Sequence, residues 1–114
     1  MAKKSLSEIK KIVRDYVKEL KKKDISPQMI ILYGSYASNT ATDASDIDIV
    51  VISNDLSKWP PIERLQILSI ATMNIDAPLE VLGYTPEEIK AHGHESIIWA
   101  EIQKNGKEIY KEAA

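Results

Sequence analysis

The 114-residue chain contains no cysteine. That excludes a disulfide framework, a thiol nucleophile and a cysteine-bound zinc. Long hydrophobic runs are missing as well. The longest is Met29 to Tyr33, far short of the roughly 20 residues that a membrane span needs. The amino terminus, MAKKSLSEIK, lacks the apolar stretch of a secretory signal, so the expected address is the cytoplasm and no membrane partner is expected. Glycine and proline number only four and five. No repeat, low-complexity tract or long linker interrupts the chain.

What is present fits one soluble domain spanning residues 1–114. Hydrophobic residues make up 44% and charged residues 28%, an ordinary globular balance. A chain of this length hides roughly 65% of its unfolded surface, enough for a real core. The net charge of −2 conceals an asymmetry. Residues 1–23 hold nine lysines and arginines against three acids, and the remainder is acidic. A basic first element could attract polyanions or an acidic partner, although a solvated helix face is the plainer account. The chain as a whole is not basic, which argues against a nucleic-acid binder.

Ser5 and Glu8 form a capping box. Apolar residues then recur from Leu6 to Leu20 at helical spacing, predicting a helix that stops near Lys23. Met29–Tyr33 reads as a buried strand ending at Gly34. A short helical turn and a loop follow, and Asp46–Ile52 is a second strand. Pro60-Pro61 opens a helix whose apolar stripe is expected at Ile62, Leu65, Leu68 and Ala71. Leu79–Tyr84 is a third strand. Thr85-Pro86-Glu87-Glu88 caps a further helix. His92-Gly93-His94 reads as a loop, Glu95–Asn105 as a last helix stopped by Gly106, and Lys107–Tyr110 as a short final strand. Helices and strands alternate, so the expected class is α/β, with ligands near strand ends.

Three features carry chemistry. Gly34-Ser35 follows directly on a buried strand; glycine permits close backbone approach, and a short helix there would offer N–H groups to phosphate. Asp46 and Asp48 lie two apart on a strand, so their carboxylates share a face and repel. A divalent cation with oxygen ligands relieves that repulsion, and magnesium is the usual one beside phosphates. Glu80 is an acid inside an otherwise apolar strand. It completes an acidic face if its strand neighbours the second. Tyr33 and Tyr36 flank Gly34-Ser35, and Tyr36, past the strand, is the better placed to touch a nucleotide. His92 and His94 lack enough partners for zinc. A Gly-Ser, ten residues, then Asp-x-Asp occurs by chance in about one chain of this length in a thousand.

The run GSYASNTATDASDIDIVV resembles the signature of the minimal nucleotidyltransferases, small relatives of the polymerase-beta-type superfamily. The likeness covers essentially the whole chain. It implies a nucleotidyltransferase fold, an α/β (α+β) mixed sheet flanked by helices. It implies two divalent ions, Mg2+ or Mn2+, on three carboxylates, with ATP as donor of AMP. Gly34 and Ser35 would hold the triphosphate, Asp46 and Asp48 would bind both metals, and Glu80 would be the third carboxylate. Such proteins resemble antitoxins whose partner is a HEPN-type toxin, adenylylated on a tyrosine. Nucleic acid is not an expected direct substrate. Two positions depart from the pattern. Ser38-Asn39 stands where many relatives carry Arg-Gly, and Glu80 where Asp is common. A binding-only antitoxin and a small-molecule nucleotidyltransferase remain the rival readings.

Overall fold

The computed structural model describes residues 3–112; Met1, Ala2, Ala113 and Ala114, at the ends of the expected 1–114 domain, lie outside the described residues. Five helices and four strands alternate: α1 Leu6–Lys21, β1 Met29–Tyr33, α2 Gly34–Ala37, β2 Ile47–Ile52, α3 Pro61–Ile70, β3 Leu79–Tyr84, α4 Pro86–His92, α5 Ile97–Asn105 and β4 Lys107–Lys111. The strands form one mixed sheet in the order β3-β2-β1-β4. β1 pairs antiparallel with β2 and with β4, and β2 pairs parallel with β3.

The alternation of side chains sorts the strands into two faces. Ile30, Leu32, Ile47, Ile49 and Val51 turn toward α1 and join Ile9, Val13, Tyr16 and Leu20 in the larger core. Val50 and Ile52 turn the other way and pack with Trp99 and Ile102 of α5. Asp48 has the parity of Val50 and therefore lies on this second face. α1 starts at the expected capping box, Ser5 with Glu8. Its buried Tyr16 donates a hydrogen bond to the Leu68 carbonyl of α3 at 2.8 Å, so even the deepest hydroxyl is satisfied.

Several expectations need correction. The buried stripe of α3 is Arg64 and Leu68, continued by Ala71 just past its end, with Ile67 packed against the same core. Ile62 and Leu65 face solvent at 76% and 43% exposure. Asn54–Lys58 coils into a 3-10 helix in place of a simple turn, because Ser53 caps it through the Asp55 N–H. Gly93–Glu95 is likewise a 3-10 turn, and α5 is capped by Ser96 rather than begun at Glu95. Gly106 is not left-handed, with φ −68. It is glycine for space, since a Cβ would run into the Ile102 carbonyl and into Ile31.

Candidate active site

Three strand positions line up across the sheet. Tyr33 pairs with Asp48 on the neighbouring strand, and Asp48 pairs with Glu80 on the next. The parallel pairing of β2 with β3 is what brings the two acids side by side. Ile47 extends it through its N–H to the Pro78 carbonyl at 2.7 Å. Because the three residues share a row and a face, an acidic pair sits beside a tyrosine on the open part of the sheet.

The electrostatics follow from that row. The Asp48 carboxyl is pushed up to about 6, first by burial, then by its hydrogen bond to Glu80 and by the charges of Glu80 and Asp46. When Asp48 is protonated it can donate to Glu80, and ionisation of both leaves two like charges side by side. The Tyr33 phenol is pushed up to about 12 by burial, then by Asp48, Glu80 and Tyr84. It stays protonated and can donate. Asp46 lies one residue before β2 and is exposed. Its charge is felt at Asp48, yet among the described residues no three acids or histidines converge closely enough to hold an ion as they stand.

Gly34 ends β1 with φ +70, in the left-handed region that favours glycine. It also faces Asp48, and a Cβ there would run into the Asp48 carboxylate, with Cγ at 3.1 Å. Ser35 follows, half-buried, in α2. The loop beyond folds back on this turn. The Ser38 N–H and hydroxyl donate to the Gly34 carbonyl at 3.1 and 3.0 Å, and the Thr40 N–H donates to the Ser35 carbonyl at 3.0 Å. Asn39 adopts φ +60. Asparagine tolerates that conformation better than most residues.

The structure thus brings together Gly34, Asp48 and Glu80, with Ser35 next in the chain and Asp46 at the rim. It does not bring Tyr36 to them. Tyr36 packs against the core on the α1 face, and its hydroxyl accepts from the Lys4 N–H at 3.3 Å. Tyr33 takes the place beside the carboxylates. His92 and His94 lie apart, each near Glu95 at 3.7 and 3.6 Å.

A profile of the nucleotidyltransferase domain family matches residues 6–105. The chain belongs to this family. A chain of Methanocaldococcus jannaschii with the provisional name protein adenylyltransferase MJ0126 is 42% identical over 67 residues, which are 59% of this chain and 62% of that one. A second from that organism, provisionally named protein adenylyltransferase MJ0128, is 50% identical over 48 residues, or 42% and 48% of the two chains. The matches therefore span less than two thirds of these relatives. Among solved structures, a provisionally named nucleotidyltransferase from Sulfolobus solfataricus superposes with a TM-score of 0.64 at 17% identity, covering 93% of this chain and 83% of that one. A chain of the MntA–HpeT toxin–antitoxin complex superposes with a TM-score of 0.54 at 19% identity, covering 96% and 75%. These likenesses establish the nucleotidyltransferase fold. Among the described residues no helix is long and apolar enough to cross a membrane.

Sequence reasoning missed one polar cluster. Arg64 is 4% exposed and grips Glu88 with two hydrogen bonds of 2.7 and 3.0 Å. It also donates to the Gly83 and Trp59 carbonyls at 3.2 and 3.1 Å. Glu88 in turn accepts from the Thr85 N–H at 2.8 Å. This clamp ties α3, β3 and α4 together at the end of β3 away from Glu80. The signal was available, since Arg64, Ile67, Leu68 and Ala71 follow helical spacing.

Proposed function

We propose that the chain is a metal-dependent nucleotidyltransferase that moves AMP from ATP to a hydroxyl of another protein. The acceptor in this reading is a tyrosine on a HEPN-type toxin, which the chain neutralises as its antitoxin. Family membership, the relatives named as protein adenylyltransferases and the fold shared with a toxin–antitoxin complex support it. The observation that carries it is the meeting of Gly34 with Asp48, at the point where Asp48 pairs with Glu80. A backbone without a side chain, against an acidic pair, is where a triphosphate and its counter-ions would be gathered.

Asp46, Asp48 and Glu80 offer only carboxylate oxygens, the donors that magnesium and manganese prefer. Burial and the neighbouring acids raise the Asp48 carboxyl, and a positive charge between Asp48 and Glu80 relieves their repulsion. Their donor chemistry fits a divalent site, which Asp46, Asp48 and Glu80 would hold once drawn closer together than they stand among the described residues. When bound, the ions would neutralise the triphosphate and lower the pKa of the acceptor hydroxyl.

The rest is the work of the chain's own groups. Gly34 lets the backbone come close to the phosphates, and Ser35 donates a hydrogen bond to them. Asp46 and Asp48 hold the donor end in place. Glu80, exposed at the sheet edge, accepts the proton of the incoming hydroxyl. Little covalent chemistry is asked of the protein, so positioning and charge neutralisation supply the rate. Incubation with α-labelled ATP, magnesium and a co-expressed partner tests the reading. Label on the partner supports it. A tight complex without label leaves a binding-only antitoxin, and label on a small molecule makes it an enzyme of a different class.

A further inference from the structure

We infer that the outward face of α3 is a contact between two copies of this chain, packed antiparallel about a two-fold axis. The face runs from Ile62 and Leu65 through Gln66 and Ser69 to Ile70 and, in the turn after the helix, Met73. Ile62, Leu65, Ile70 and Met73 are 76%, 43%, 52% and 78% exposed. The turn continues the helix, since the Met73 N–H donates to the Ile70 carbonyl at 3.1 Å. Helical spacing sets these positions opposite Arg64, Ile67, Leu68 and Ala71, which are turned inward.

Seven large apolar side chains are exposed among the described residues, and four of them gather here. Scattered singly they would need no explanation, but gathered on one helix they mark a contact surface. The outward face of α1 shows the contrast. It carries Lys10, Lys11, Arg14, Lys18 and Lys21, the pattern of a face kept in water. From Ile62 to Met73 the charges are Glu63, on the flank of the face, and Arg64, buried against Glu88. A partner held by charge finds nothing to grip on this face.

The order of the side chains selects the occupant. Read from either end, the face runs apolar, apolar, polar, polar, apolar, apolar. A second copy laid antiparallel therefore sets its Met73 against Ile62, its Ile70 against Leu65 and its Ser69 against Gln66, and the reverse pairs follow by symmetry. Such self-complementarity is what a two-fold contact requires. Gln66 and Ser69 can each donate and accept, so the polar pair at the centre is satisfied. Glu63 falls opposite Thr72 and meets no like charge. The area agrees as well. The four apolar residues expose on the order of 500 Å² per copy, so two copies together bury about 1,000 Å², the size at which specific interfaces begin.

Sedimentation of the full chain over a concentration series tests the contact, and its outcome is independent of nucleotidyl transfer. The wild type should approach twice the 12.8 kDa of one chain. Ile62→Lys and Met73→Lys, at open positions that leave the core untouched, should each raise the dissociation constant about tenfold or more. Ile97→Lys, on α5 at 90% exposure, should leave it unchanged. Because the chain has no cysteine, the pairing can also be read directly. An oxidised mixture of Ile62→Cys and Met73→Cys chains should form a disulfide-linked pair. Either variant alone should not, since like positions stand about 16 Å apart along the helix. A wild type of single-chain mass throughout the series would overturn the proposal. So would a dimer that Ile97→Lys dissolves and the α3 variants do not, or equal linking of either cysteine variant with itself. Loss of a co-purified partner from the lysine variants of a monomeric chain would overturn the second copy and give the face to that partner.

Discussion

The Asp48 carboxylate occupies the space that a Cβ on Gly34 would need. The glycine is thus required twice, for its left-handed backbone and for its missing side chain, and both requirements meet at the acidic pair.

Gly34→Ala should therefore cost more than an ordinary turn substitution. The left-handed conformation alone costs about 1–2 kcal/mol for a residue with a Cβ, and displacing Asp48 adds to it. Urea unfolding should show the loss of stability. Calorimetric titration with Mg–ATP should show weaker binding even where the variant is fully folded.

Ser35→Ala should leave the fold intact, because the side chain lies past the strand. It should weaken triphosphate binding by ~1–3 kcal/mol, the usual effect of losing a hydrogen bond to a charged group. Unchanged binding would reduce the segment to a plain turn.

Asp48 gives a pH signature. Its folded-state carboxyl is raised to about 6 from 3.8. Between those values the folded chain binds more protons than the unfolded chain, so stability falls as pH rises. The contribution is fully present below about pH 4 and lost above about pH 6. Asp48→Asn removes that slope and should make the metal-free protein more stable than the wild type at pH 7. Urea melts at pH 4, 5, 6 and 7 measure it. The same variant should lose magnesium binding in the presence of nucleotide.

The Arg64–Glu88 clamp acts in the opposite direction. The Arg64 guanidinium holds the Glu88 carboxyl below the usual 4.5. That stability is present above about 4.5 and disappears as pH falls through the lowered value. Glu88→Ala leaves Arg64 buried without its partner and should destabilise by ~3 kcal/mol or more. The clamp ties down the other end of β3. Thermal unfolding should therefore shift while Mg–ATP affinity of the folded variant does not.

Much of this was legible in the chain, for identifiable reasons. The capping boxes at Ser5 and Thr85 and the strand runs at Met29–Tyr33 and Leu79–Tyr84 are local signals, and the structure keeps all of them. The face of Asp48 was legible because alternation sets it opposite Ile47 and Ile49, whereas Asp46 lies just outside β2. That Glu80 pairs with Asp48 depends on sheet order, which no local pattern encodes. The exchange of Tyr36 for Tyr33 has the same cause. Position after Gly34 favoured Tyr36, but side-chain parity across the sheet decides which tyrosine faces the acids. In α3 the expected stripe admitted only apolar residues, so it passed over the buried Arg64 and placed Ile62 and Leu65 inward.

The intact mass of the partner, co-expressed with either the wild type or Asp46→Asn/Asp48→Asn, tests the central claim most directly. Both forms should bind the partner, because the substitutions confine themselves to the acidic face beside Gly34. Only the wild type should add the mass of AMP to a partner tyrosine and protect cells at less than one copy per toxin. Full protection by the double variant, with no mass added to the partner by either form, would contradict the account.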